Sequence, residues 1–210
     1  MMIRHTLIAL LLFGFAAPVA LAQDSQAAAP PPPEAPAKPS SLGAGHYKLD
    51  PRHSSVIAVV RHMHVSDYVV RFDRAQAQFD YDPAQPQATK LQASVDVTSL
   101  DVGASYSQEF ANTFLGAAKT PTATFTATAM APNPDGHTGT MTGDLTLNGV
   151  TRPVTFNVTF IASGRGLMLG TVAGFKAEGT IKRSDFGSHA WAGVVSDEVQ
   201  LIIRGEFDKK

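Results

Sequence analysis

The chain has 210 residues, 17 lysines and arginines against 18 aspartates and glutamates, and no cysteine. The lack of cysteine excludes thiol nucleophiles, thiolate metal sites and disulfide staples, and a near-neutral chain without a basic patch argues against nucleic acid as a partner. Stability must therefore come from the core, and the ~165 residues from about His46 onward are enough for one sizeable core.

Arg4 and His5 give a short basic start, and Thr6 to Ala17 is an unbroken apolar or small stretch. Pro18 breaks it, and Ala20-Leu21-Ala22 reads as an A-x-A cleavage site. Residues 1–22 are thus expected to be a secretory signal peptide. The apolar run falls short of the ~20 residues needed to span a bilayer, so it reads as cleaved, not as an anchor. No cysteine follows that could carry a lipid. Export implies a bacterial periplasm or the outside. Residues 23–45 are rich in alanine and proline, with Pro30 to Pro33, Pro36 and Pro39, and are expected to be a disordered tether. Without Arg4 the balance is 16 basic against 18 acidic residues, a net charge of -2.

From His46 to Lys210 the pattern has period two. Val56, Ala58 and Val60 alternate with other residues, as do Leu91, Ala93, Val95 and Val97. Ser105 to Ala118 is the one stretch with helical spacing, with Phe110, Phe114 and Leu115 near one face. Alternation resumes in Ala123, Phe125, Ala127 and Ala129, then in Val154, Phe156, Val158 and Phe160. It continues through Phe175, Ala177, Gly179 and Ile181 to Val199, Leu201, Ile203 and Phe207. Such runs, rich in valine, threonine and phenylalanine, are half-buried antiparallel strands. Asn148-Gly149 marks a tight hairpin, and Asp82-Pro83 and Pro132 to Gly136 mark other turns.

About eight strands with one apolar face each, and almost no helix to cover them, must close on themselves or pair as two sheets. A closed antiparallel β-barrel with one or two short helices is preferred to a two-sheet sandwich, partly on the family resemblance given below. Its inward faces carry small residues: Ala58, Ala93, Ala123, Ala127, Ala129, Ala177, Gly179 and Gly205. Those leave room for a ligand or fit the taper of a filled barrel, and composition does not separate the two.

Few motifs carry chemistry. His62 and His64 form an H-x-H pair that would share a face on a strand, but no third ligand has fixed spacing to them, so no metal is expected. The pair reads as one histidine at the barrel rim and one on the surface. Asp185-Phe186-Gly187 matches a kinase triplet, yet no glycine-rich phosphate loop precedes it. Arg183 and Asp185 at a strand end would lie on one face and pair. They close the barrel as a structural ion pair, or they offer a cation to a ligand head. There is no G-x-S-x-G elbow, H-E-x-x-H or P-loop, and no catalytic residue is assigned.

Several stretches together resemble the YceI-like family of bacterial periplasmic proteins. They are Tyr47 to Val56 leading into Val60-Arg61-His62, Thr142 to Val154, Gly174-Phe175, Thr180 to Gly187 and Asp197 to Val199. The resemblance covers about Tyr47 to Phe207. It implies a lipocalin-like barrel around a long isoprenoid tail, of a quinone or polyprenyl lipid, with no covalent cofactor. It also implies a homodimer, association with membrane cytochromes of the b561 type and a link to stress responses. The chain departs from the family pattern at Ala104 to Gly116, where the family's acidic residues are missing. It departs again at Tyr68-Val69-Val70-Arg71, where a family glycine is absent. Both changes bear on the barrel mouth.

On these grounds the ligand would be lined by Phe125, Ala127, Phe156, Val158, Phe160, Phe175, Ala177, Ile181, Leu201 and Ile203, with His62, Arg183 or Asp185 at an end. Ala177 and Gly179 would mark the widest part of the tube. Two other functions fit the sequence: a tethered structural or stress-response barrel with a filled core, and a lipid-modifying enzyme, which needs a polar cluster deep in the tube that the alternation does not show.

Overall fold

The computed structural model describes residues 42–103, 105–166 and 170–210. The expected signal peptide (1–22), most of the expected tether (23–45) and Ala104 lie outside these residues. The last four residues of the tether span belong to the barrel. Leu42 is buried, and the Tyr47 hydroxyl donates to the Gly43 carbonyl at 2.6 Å.

In chain order the elements are β1 (Gly45–His62), β2 (Ser66–Phe72), β3 (Ala75–Tyr81), β4 (Lys90–Asp96), β5 (Leu100–Asp101), α1 (Ser107–Leu115), β6 (Thr122–Pro132), β7 (Thr138–Leu147), β8 (Val150–Arg165), β9 (Thr171–Lys182) and β10 (Val195–Lys209). From β6 to β10 each strand pairs antiparallel with the next, and β10 pairs back onto β1. β2 lies against the second half of β1 and β3 against the first half, so the two act as one stave. β5 extends β4 along β2 in the same way. The result is a closed antiparallel barrel of eight staves, and closure leaves no long sheet edge to be covered.

Irregularities set which way side chains point. Asp50, Pro51, Arg52 and His53 bulge out of β1 between the pairs Leu49–Phe207 and Ser54–Gly205. The bulge shifts the inward set from odd residues (Tyr47, Leu49) to even ones (Val56, Ala58). The Asp50 carboxylate sits inside it and accepts from the Arg52 backbone N–H and guanidinium and bonds to His53 Nδ1. A second shift, between Ala127 and Ala129, places Met130 inward and leaves Ala129 exposed, against the unbroken alternation expected of β6.

The barrel has two unlike ends. The lower end holds the start of β1, the Pro83–Ala88 loop and the β6–β7 turn. Tyr47, Phe79, Ala173 and Phe207 form a buried cluster there. The upper end holds the β1–β2 turn, α1, the Asn148-Gly149 turn and the β9–β10 connection. Ala111 of α1 is fully buried against Val97, Leu100, Ala117 and Ala123, which fixes the helix across one side of that end. Gly116 ends the helix in the left-handed conformation, φ 61°, as a helix C-terminus favours.

Candidate ligand cavity

The barrel encloses a cavity of about 1160 Å³, lined mostly by valine, leucine, isoleucine, phenylalanine and alanine. Its lining runs from Phe110, Phe114 and Trp191 at the upper end, down the staves, to Pro86, Pro132 and His137 at the lower end. Outward neighbours carry the charge. Lys176 and Glu178, on the outer face of β9, pair at 2.6 Å. An isolated charge inside so apolar a tube would be too costly.

Of the residues expected to line a ligand, Phe125, Phe156, Val158, Phe160, Phe175, Ala177, Ile181, Leu201 and Ile203 border this cavity, with His62 and Arg183 at its upper end. Two do not. Ala127 is buried in the wall; it pairs with Gly143, whose inner side is covered by the Phe125 ring. Asp185 is exposed on the outside, because the chain turns through a 3-10 segment at Arg183–Phe186 instead of continuing as a strand. That turn also breaks the expected Arg183–Asp185 pair. The small residues are not simply open space either. A Cβ on Gly179 would lie 2.8 Å from the Phe156 ring, and one on Gly205 2.7 Å from Leu49. These glycines seat side chains from neighbouring staves, so Gly179 does not mark the widest part of the tube.

His62 and His64 do not share a strand face. β1 ends at His62, and Met63 and His64 form the turn with positive φ, 51° and 61°. His62 borders the cavity and His64 is exposed. Asp50, His53 and Glu206 gather ligand-type atoms within 4.8 Å of one another outside the barrel. Both Asp50 oxygens are already engaged by Arg52, and Asp50 Oδ2 also bonds to His53 Nδ1.

The upper end holds a buried cation. Arg183 is buried, and its guanidinium donates to the carbonyls of Ser188, Ala190, Val195 and Ser196 at 2.7–3.1 Å. It therefore holds the β9–β10 connection in place, with its carbon 5.9 Å from the centre of the Phe114 ring. Asp197 lies outside and accepts from the Ser184 backbone and hydroxyl, which lowers its pKa. Tyr68, Tyr106, Phe110, Phe114 and Trp191 form a chain of ring contacts over the mouth. Burial, then a hydrogen bond with Tyr106, raises the pKa of the Tyr68 hydroxyl. Sequence reasoning missed Trp191, Tyr106 and Ser188, whose positions depend on how the connecting segments fold back.

Comparison with known proteins now adds a decisive observation: the YceI-like domain matches residues 47–207. The chain belongs to the YceI-like family. It is 38% identical over 170 residues to Protein YceI of Escherichia coli O17:K52:H18 (strain UMN026 / ExPEC), covering 79% of this chain and 88% of that one. Among solved structures, Burkholderia cenocepacia BcnA superposes with a TM-score of 0.68 at 30% identity, over 75% of this chain and 98% of that one. A polyisoprenoid binding domain from Saccharophagus degradans shares the fold with a TM-score of 0.55 at 17% identity, over 78% of this chain and 98% of its own.

The YceI-like motifs have structural work to do here. In Arg183-Ser184-Asp185-Phe186-Gly187, Arg183 anchors the connection and Phe186 fills the core. The Phe186 carbonyl accepts from the Asn148 amide at 3.1 Å, which ties this turn to the Asn148-Gly149 hairpin. In the departing segment, Phe114 and Leu115 still border the cavity.

Proposed function

We propose that the protein is a periplasmic carrier that holds one long isoprenoid or similar lipid tail inside the barrel, and that it is not an enzyme. The observation that carries this reading is the apolar cavity of about 1160 Å³. It exceeds the ~300–1,000 Å³ typical of pockets for drug-sized ligands. A dry void costs about 24 cal/mol per Å³, so one of this size would outweigh the ~5–15 kcal/mol stability of a domain. Water is a poor filling for so apolar a wall. A hydrocarbon tail is a good one, contributing about 0.8 kcal/mol per buried CH₂ against the cost of ordering it. The Saccharophagus degradans domain of the same fold is named for binding polyisoprenoids, which supports a quinone or polyprenyl tail. The hollow interior counts against a barrel stabilised by a filled core.

Organic extraction of the purified protein followed by mass spectrometry tests this reading. About one equivalent of a long-tailed lipid is expected. A protein that yields none when purified without detergent from its own cells is not a carrier. Export is tested by intact mass of the fractionated protein, with mature chain starting at Gln23 expected in the periplasmic fraction.

A further inference from the structure

Exposed apolar side chains gather at one end of the barrel. Among the described residues seven large hydrophobic side chains are exposed, and five of them, Met63, Val65, Tyr106, Trp191 and Val194, lie on three segments of the upper end. These segments touch. The Met63 N–H donates to the Val194 carbonyl at 2.7 Å, and the Val194 N–H donates to the Trp191 carbonyl at 3.0 Å. The Trp191 ring meets Phe110 of α1 with centres 5.9 Å apart, and Phe110 meets Tyr106 at 4.9 Å. Single exposed apolar residues need no explanation, but a contiguous patch of them does.

Holding this patch out costs the fold. Met63 and Trp191 take positive φ, 51° and 54°, a conformation that is unfavourable for bulky residues. The Arg183 guanidinium grips the carbonyls of Ala190 and Val195 on either side of Trp191, so the exposed ring is fixed in place.

The surroundings say what covers the patch. Tyr106 and Trp191 border the cavity, as do Phe110 and Phe114 beside them, so apolar surface continues from the outside of the rim into the cavity wall. The exposed residues at the cavity's lower end, Pro83, Pro132, Asn133 and Gly136, include no such side chain. The rim segments 62–66, 106–110 and 189–195 contain no lysine or arginine and one acid, Glu109, which gives a charged protein surface little to pair with. Five side chains are also few beside the ~20–30 residues a side of a stable protein interface. Tryptophan and tyrosine, each with an apolar body and a polar tip, suit the boundary between bilayer and water.

We propose that the upper rim seats on the surface of a phospholipid bilayer, with its apolar turns at the headgroup and acyl boundary, so that a lipid tail passes between bilayer and tube without crossing water. The seating is a property of the rim; the passage of a tail rests on the carrier reading.

Flotation of the mature protein with phosphatidylcholine vesicles tests the seating. Wild type is expected to float with them equally well at low and high salt, with or without added phosphatidylglycerol, because the rim offers no lysine or arginine. Met63→Asn combined with Val65→Ser alters two side chains that do not border the cavity, and asparagine accepts the positive φ at position 63. This double variant should bind vesicles about tenfold more weakly, with unchanged melting temperature and unchanged binding of detergent-solubilised geranylgeraniol. Ile161→Ser removes an exposed side chain from the outer face of β8 instead and should float as wild type does. In the wild type the emission of Trp191, the single tryptophan, should shift to the blue on vesicles and be quenched by brominated phosphatidylcholine. Wild type that stays off all vesicles, a folded double variant that floats as well as wild type, flotation that needs phosphatidylglycerol and disappears in salt, or an unquenched Trp191 overturns the proposal. A wild-type dimer in sedimentation that the double variant loses, with no flotation, overturns it in favour of a second copy on the patch. Geranylgeraniol binding is scored separately. Its absence in wild type sinks the carrier reading, whereas its presence without flotation leaves that reading standing and removes only the seat on the bilayer.

Discussion

Both ends of the barrel are built from aromatic rings, but only one end buries them. At the lower end Tyr47 stacks on Phe79 with ring centres 5.1 Å apart, and Phe175 and Phe207 pack edge-on to Phe79. Tyr47, Phe79 and Phe207 are buried. At the upper end Phe110, Phe114 and Trp191 touch at similar distances, yet Trp191 is 52% and Tyr106 44% exposed. Rings that are buried on all sides stabilise a fold. Rings that contact each other while half in water contribute less to the fold. The lower cluster is therefore structural packing, whereas the upper rings stand half in water at one end of a cavity that also reaches the exposed lower residues Pro132, Asn133 and Gly136.

The contrast predicts unequal effects of truncation. Phe79→Ala should lose about 3–5 kcal/mol in a denaturant titration, whereas Trp191→Ala should change stability by less than about 0.5 kcal/mol. Equal losses would mean that the upper rings are core after all.

Between the ends, Gly179→Ala should cost about 1–3 kcal/mol. The added methyl meets the Phe156 ring at 2.8 Å and the Thr155 carbonyl at 3.0 Å. A neutral result by thermal melting would show that Phe156 moves freely and that the wall is softer than its contacts imply.

The smallest effect concerns acid. Asp135, in the lower β6–β7 turn, accepts from the Thr138 hydroxyl and from the backbone N–H groups of Thr138 and His137. The Thr138 hydroxyl is the main cause that holds its pKa at about 2, below the ordinary 3.8. A carboxylate depressed on folding adds stability that is fully present above its unfolded value and is lost as pH falls through its folded value. The difference in stability between wild type and Asp135→Asn should therefore shrink between about pH 4 and pH 2. A difference independent of pH would mean the turn does not hold the charge.

Much of this architecture was legible in the residues. Alternation located β4, β6, β8, β9 and β10, and Asn148-Gly149 located the β7–β8 hairpin because both residues take positive φ, 52° and 74°. β2 and β3 were harder to see. They form one stave broken at Asp73-Arg74; β2 blurs the period because Val69 faces outward between Tyr68 and Val70, although Ala75, Ala77, Phe79 and Tyr81 of β3 do alternate with polar residues. Bulges hid the parity changes: the extra residues at Asp50–His53 and at Thr128 flip the faces without any change in composition. In the same way glycines reveal small size but not which ring occupies the space. Ser188 was invisible because its placement follows from the guanidinium of Arg183 reaching across the β9–β10 connection, a long-range contact with no local periodicity.

The central claim is that a lipid tail lies in the tube between the two ends. Native mass spectrometry of three proteins purified side by side tests it most directly: wild type, Ala177→Phe on the cavity wall, and Glu178→Gln on the outer face. Wild type and Glu178→Gln should carry about one lipid each, and Ala177→Phe should be folded and empty. Lipid retained at the wild-type level in Ala177→Phe would contradict the account.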